Sequence, residues 1–134
     1  MQEKLNIGSK EVLKAGSALA GGVARQGETC GTLMAAIMAI GSLVGRERFE
    51  DLDQYRKAIG IATKVYELFK ERIGHTLCWE IHKIRYGKVY RLFIPEEHEA
   101  FHKMGGHGCK GCPEVCGIAA KIAGEIILDI KENQ

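Results

Sequence analysis

The sequence holds five cysteines, and their spacing is its clearest indication of chemistry. They are Cys30, Cys78, Cys109, Cys112 and Cys116. Cys109 and Cys112 are separated by two residues, a spacing at which two thiolates can chelate one metal atom. The three cysteines within residues 109–116 therefore indicate a thiolate-ligated metal. For Cys30 and Cys78 taken singly, the alternative is an ordinary buried cysteine that packs as a small apolar residue.

The predicted helices place these thiols at helix N-termini. Cys30 falls in the first turn of a helix that begins near residue 28 and ends at Gly45. Cys78 falls in the first turn of a short helix that Thr76 is expected to cap, and Cys112 lies at the start of the last helix. A helix N-terminus presents unpaired N–H groups and a partial positive charge, which favour thiolate over thiol. We therefore expect thiolates that bind metal or attack disulfides.

Several redox and metal centres are compatible with these thiols. Covalent haem is excluded, because attachment requires a histidine after the second cysteine of the pair and residue 113 is proline. Structural zinc usually draws on two close pairs of ligands, and only Cys109 and Cys112 form such a pair, so an iron–sulfur cluster is favoured and zinc is the alternative. A metal-free thiol–disulfide protein using Cys109 and Cys112 is a second alternative, although no thioredoxin-like βαβ pattern is present.

A histidine motif offers a different chemistry. The segment His98-Glu99-Ala100-Phe101-His102 matches the HExxH pattern of zinc hydrolases, in which the glutamate acts as general base. The segment is short and polar, glycines follow at residue 105, and no helix supplies an obvious third ligand. We therefore favour a solvated helical turn, or a secondary metal-binding patch with His107, over a hydrolase. His82 is interpreted as a capping or surface histidine, and no enzyme activity is expected.

The hydrophobic pattern predicts an all-α, antiparallel bundle of about five helices in one domain, residues 1–134. Helices are predicted over residues 10–24, 28–45, 52–73, 76–81 and 113–130, with residues 84–94 as loop and 96–104 as a polar stretch. The third helix has the clearest pattern, and Gly74 is its expected stop. Its apolar residues recur at steps of three and four: Leu52, Tyr55, Ile59, Ala62, Tyr66, Phe69 and Ile73.

The composition and charge of the chain indicate which classes of protein it can belong to. Hydrophobic residues make up 46% and charged residues 27%, with a net charge of +2, as in a globular protein. No basic block indicates nucleic acid or an anionic membrane, and the uncharged run over residues 29–45 is too short and rich in glycine and alanine to span a bilayer. A cytoplasmic location is expected, where thiols act as ligands or redox groups. The expected partner is an electron-transfer protein, and the long apolar seam is compatible with a homodimer.

Three segments resemble a known family. They are residues 21–31, residues 69–78 and Cys112-Pro113-Glu114-Val115. All three are similar to the signature of the redox-active proteins named for their C-GCAxxG-C-C cysteine pattern. The similarity spans roughly residues 15 to 130 and implies a small helical domain with four characteristic cysteines and a redox role. The C-terminal part of split-Soret cytochromes is similar, which implies a two-iron, two-sulfur cluster. By motif, Cys30, Cys78 and Cys112 are the matching positions.

The chain departs from the family pattern in two places. Thr32 and Ala35 stand where the family favours alanine and glycine, and the upstream helix lacks the family's first cysteine. Either Cys109 or Cys116 is expected to supply the fourth ligand. Otherwise the site would have three cysteines, be open, or be shared with another subunit. The remaining alternative is a helical interaction module whose cysteines are incidental.

Overall fold

The computed structural model of the protein describes residues 2–134, and every regular element within them is helical. The all-α prediction is confirmed, but this part of the chain forms seven α-helices instead of five. Residues 95–103, expected as a polar stretch, form a helix of their own, and none of the helices described is long and apolar enough to cross a membrane. The helices are α1 (Gln2–Leu5), α2 (Lys10–Gly16), α3 (Gly31–Val44), α4 (Leu52–Ile73), α5 (Cys78–Tyr86), α6 (Pro95–Lys103) and α7 (Cys112–Glu132).

The core lies between α3, α4 and α7. Helices α3 and α4 are antiparallel, since the Gln54 side chain near the start of α4 donates a hydrogen bond of 2.7 Å to the Val44 carbonyl at the end of α3. All three helices bury branched and aromatic side chains against one another, which removes apolar surface from water and is the main source of stability. The most deeply buried are Leu33 and Ile40 of α3, Val65 and Phe69 of α4, and Ile122 and Ile127 of α7.

Helix α4 has the predicted bounds because both of its caps are local. The Asp51 carboxylate accepts the Gln54 N–H at 3.0 Å, and Gly74 takes the left-handed conformation at φ +99° that ends the helix. The predicted buried seam is wrong over most of its length, since Leu52, Tyr55, Ile59 and Tyr66 are between 42% and 51% exposed, and only Phe69 and Ile73 are buried. The helix instead packs a neighbouring row against the core. The apolar face of α4 is therefore wider than the stripe that contacts the core. The predicted seam lies along the solvent-exposed edge of that face. The residues of the packed row are Ala58, Ile61, Val65 and Leu68.

The first predicted helix ends early, and a left-handed turn replaces its last part. Helix α2 stops at Gly16, a 3₁₀ turn covers Ser17–Leu19, and the five residues 21–25 all have positive φ, between +51° and +72°. Residues 23–25 are not glycines, and the left-handed conformation costs each of them about 1–2 kcal/mol. Backbone hydrogen bonds of 3.0 Å from Val23 to Leu19 and from Gly27 to Gly21 offset this cost.

The segment that follows this turn pairs with the start of α5. The Cys30 N–H donates to the Thr76 carbonyl at 2.8 Å, and the Cys78 N–H donates to the Glu28 carbonyl at 2.7 Å. These bonds fix the N-terminus of α3 beside that of α5. The predicted capping role of Thr76 is wrong: the N-cap of α5 is Leu77, and Thr76 acts through its backbone carbonyl instead.

Replacing Gly27 tests whether the pairing of residues 27–30 with the start of α5 depends on glycine. Gly27 has φ +78°, and a Cβ there would lie 2.0 Å from the Trp79 ring. Gly27→Ala should lower the free energy of unfolding by about 2–4 kcal/mol, combining left-handed strain with overpacking. Gly60→Ala in α4, where a Cβ would meet nothing within 4 Å, is the matched control and should raise it by about 0.5–1 kcal/mol. Urea unfolding followed by circular dichroism measures both. Equal stabilities of the two variants would contradict the predicted clash.

Candidate functional site

One cavity of about 430 Å³ brings four of the five cysteines together: Cys30, Cys78, Cys112 and Cys116. Cys30 immediately precedes α3, Cys78 and Cys112 are the first residues of α5 and α7, and Cys116 lies one turn further along α7. Three helix N-termini thus converge on the cavity, as the sequence predicts. Cys30 and Cys78 are buried, Cys112 is half-buried and Cys116 is exposed, so the cavity opens to solvent near α7.

The walls of the cavity between these thiols are largely apolar. One wall comes from the left-handed turn, where Gly22 has φ +72° and a Cβ would lie 2.6 Å from the Cys78 Cβ. Only glycine allows the turn to approach the Cys78 side chain so closely. Further apolar side chains come from four helical elements and one loop: Leu19 of the 3₁₀ turn, Ala36 of α3, Phe101 of α6, Ala119 of α7, and Leu92 of the loop between α5 and α6.

Cys109 stands apart from the other four cysteines. It is exposed, and it is not among the residues that line the cavity. It belongs to a glycine-rich turn that packs tightly before α7, where the Cys112 N–H donates to the Gly106 carbonyl at 2.8 Å. Of the two alternatives for a fourth thiol, the structure therefore brings Cys116 to the cavity with Cys30 and Cys78.

Burial and mutual repulsion control the protonation of these thiols. Burial, together with the smaller effect of the neighbouring Cys30 and Cys112 sulfurs, raises the pKa of Cys78 to about 12. Burial likewise raises the pKa of Cys112 and of Cys116. The expected lowering of these pKa values at helix N-termini is therefore outweighed for these three thiols by desolvation. A bound metal reverses this balance, because a coordinating thiol is deprotonated outright.

Three polar side chains contact the cavity sulfurs, and the sequence analysis missed all three contacts. Thr32 Oγ1 lies 3.2 Å from the Cys30 sulfur, His82 Nε2 lies 3.7 Å from the Cys78 sulfur, and the Tyr86 hydroxyl lies 3.8 Å from the Cys112 sulfur. The prediction of a capping or surface role for His82 is wrong, since His82 is 1% exposed. Its position four residues after Cys78 in a helix was the available signal, because such residues share a face.

The HExxH segment is helical, as part of α6, but it does not assemble a zinc site. His102 Nδ1 lies 3.1 Å from His107 Nδ1, and the His98 ring centroid is 5.5 Å from that of His107. Glu99 forms an exposed ion pair of 3.4 Å with Lys103. Within residues 2–134, no group of three or more His, Cys, Asp or Glu side chains is arranged to hold a single metal ion. This holds for the histidines and for the four thiols alike.

Comparison with known proteins identifies a family. A family model described as "Putative redox-active protein (C_GCAxxG_C_C)" matches residues 1–126, a range that includes all five cysteines. No curated protein and no solved structure matches the chain. The resemblance inferred from the glycine and cysteine segments is confirmed by the family match.

The environment of Cys78 predicts slow alkylation of the reduced, metal-free protein. Iodoacetamide reacts with the thiolate, and a pKa of about 12 leaves little thiolate at neutral pH. Allowing for the greater nucleophilicity of a high-pKa thiolate, Cys78 should react about 100-fold more slowly in the folded chain than in urea. Its rate should rise steadily as the pH is raised toward 12. Peptide mapping by mass spectrometry measures the rate, with exposed Cys109 as the internal check on reagent. Similar rates in folded and unfolded chains would contradict the burial of Cys78.

Proposed function

Because the chain belongs to the C_GCAxxG_C_C family of redox-active proteins, we propose that it holds an iron–sulfur cluster and acts in electron transfer or redox sensing. The proposed ligands are Cys30, Cys78, Cys112 and Cys116. The observation that supports this proposal is the convergence of these four thiols on one cavity. A cluster of this kind supplies one-electron transfer, with a potential that the surrounding protein adjusts.

The size of the cavity favours a cluster over a single zinc ion. Zinc holds its thiolates at about 2.3 Å, so four sulfurs must gather tightly around one atom. The described residues offer no such group, whereas the thiols stand around a cavity of about 430 Å³. A polynuclear centre distributes its ligands over several metal atoms and suits thiols that are further apart. We favour the two-iron type because of the likeness to the C-terminal part of split-Soret cytochromes.

The protein contributes charge and rigidity to the proposed site. Helices α3, α5 and α7 each direct the positive end of a helix dipole toward the cavity, which stabilises negative charge on the sulfurs. The backbone hydrogen bonds from Cys30 and Cys78 hold two ligands in fixed positions. Exposed Cys116 marks the open side, where a partner protein would approach to exchange electrons. A cytoplasmic setting, where thiols remain reduced, is part of this proposal.

Protein purified without oxygen, and reconstituted with iron and sulfide where needed, tests this proposal. It should be brown, absorb between about 320 and 460 nm, and contain iron and acid-labile sulfide in similar amounts. Replacing Cys30, Cys78 or Cys112 with serine should abolish or greatly reduce the absorption, and so should Cys116→Ser. Cys109→Ser is the matched control and should keep the cluster, because Cys109 lies outside the cavity.

Other outcomes would point to the alternatives. One zinc per chain without sulfide would replace the cluster with a zinc site. Protein that stays colourless and metal-free after reconstitution would leave thiol–disulfide chemistry as the remaining function. Loss of thiol–disulfide exchange in Cys109→Ser would then be its signature. Loss of the cluster in Cys109→Ser, with retention in Cys116→Ser, would overturn the proposed ligand set. Circular dichroism of each variant separates lost ligands from lost folding.

A further inference from the structure

Helix α5 places more than one polar side chain near the cavity sulfurs. Cys78, His82 and Tyr86 follow one another at intervals of four residues, so they lie on one helix face. His82 is 1% exposed, stacks on the Phe101 ring at a centroid distance of 4.9 Å, and meets the edge of Tyr90. A histidine so deeply enclosed by aromatic rings needs hydrogen-bond partners for both of its nitrogens.

The two partners of His82 determine where its proton lies. The backbone N–H of Tyr90 donates to His82 Nδ1 at 3.3 Å. Because an N–H group can only donate, Nδ1 carries the lone pair, and in the neutral ring the proton is on Nε2. Nε2 faces the Cys78 sulfur at 3.7 Å. A ring that accepts a hydrogen bond at Nδ1 is neutral, because a protonated imidazole carries N–H groups on both nitrogens. His82 thus presents an N–H group to Cys78 and no lone pair for a metal.

Tyr86 presents a second donor one turn further along. Its hydroxyl lies 3.8 Å from the Cys112 sulfur, and a metal-bound thiolate at that position can only accept a hydrogen bond. Two sulfurs held by different helices, α5 and α7, are therefore each faced by a donor from α5.

We propose that His82 and Tyr86 are positioning residues of the redox centre, donating hydrogen bonds from Nε2–H to Cys78 and from the phenol O–H to Cys112. The two hydrogen bonds do not depend on the proposed function, whereas their effect on the reduction potential rests on the proposed cluster. Reduction adds one electron to the centre and increases the negative charge on its sulfurs. Donors to those sulfurs stabilise the reduced form and raise the reduction potential. His82 is accordingly a hydrogen-bond donor and not a fifth ligand.

The state of His82 can be tested without any cluster. Long-range ¹H–¹⁵N correlation spectra of the metal-free protein at neutral pH should show a neutral ring protonated at Nε2. His82→Gln, whose amide nitrogen ends near the position of Nε2, provides the conservative variant. A ring protonated at Nδ1 would overturn the proposed bond to Cys78 whatever the metal analysis shows.

Redox titration of the cluster-loaded protein tests the effect on potential. Tyr86→Phe and His82→Leu should each shift the midpoint potential downward, and His82→Gln should recover part of the shift. Tyr90→Phe is the matched control: it removes a hydroxyl from the same aromatic cluster without a contact to sulfur, and should leave the potential unchanged. If Tyr86→Phe and His82→Leu both match wild type and Tyr90→Phe, the inference is wrong. Failure to load any cluster would refute the proposed function alone, since the spectra still decide the hydrogen bond to Cys78.

Discussion

The backbone pairing between residues 27–30 and residues 76–79 is the constraint on which the site depends. Buried N–H and C=O groups must be hydrogen-bonded, and here each segment satisfies the other. The N–H groups of Cys30 and Cys78 are themselves donors in this pairing, at 2.8 and 2.7 Å. The two sulfurs are thus positioned by the main chain next to them and not by long flexible side chains. Neither helix N-terminus can shift without breaking the bonds that place the other.

The charge balance of the cavity follows from that placement. Bringing Cys78 within reach of the Cys30 and Cys112 sulfurs raises the free energy of their charged forms, in addition to the cost of burial. Three helix dipoles and the donors Thr32, His82 and Tyr86 act in the opposite direction. They do not suffice to ionise Cys78 on their own, as its pKa of about 12 indicates. The arrangement is suited to a cationic occupant that completes the compensation.

The sequence predicts the local parts of this design and misses the non-local ones. The bounds of α4 depend on the Asp51 cap and on Gly74, and the start of α7 has Pro113, all of which act within a few residues. The starts of α3 and α5 have no side-chain cap and are held by their mutual backbone pairing. The left-handed turn could not be predicted, because three of its residues, Val23, Ala24 and Arg25, adopt a conformation that is routine only for glycine. The outer edge of α4, the burial of His82 and the entry of Cys116 into the cavity all depend on how helices distant in sequence pack. Spacing leaves Cys109 and Cys116 as alternatives for the fourth ligand, and the fold brings Cys116 to the cavity.

The strained turn links ligand geometry to folding. Val23, Ala24 and Arg25 together carry about 3–6 kcal/mol of left-handed strain, which backbone hydrogen bonds within residues 18–28 offset. The turn also leads into residues 27–30, whose pairing with α5 supplies the additional stabilisation. The turn is therefore stabilised further when α5 is in place, where Gly22 of the turn lies against Cys78. The pairing of residues 27–30 with α5 completes the cavity wall and aligns Cys30 with Cys78. For the proposed centre, binding of the metal and ordering of this segment are consequently coupled, because each favours the same arrangement of the two sulfurs.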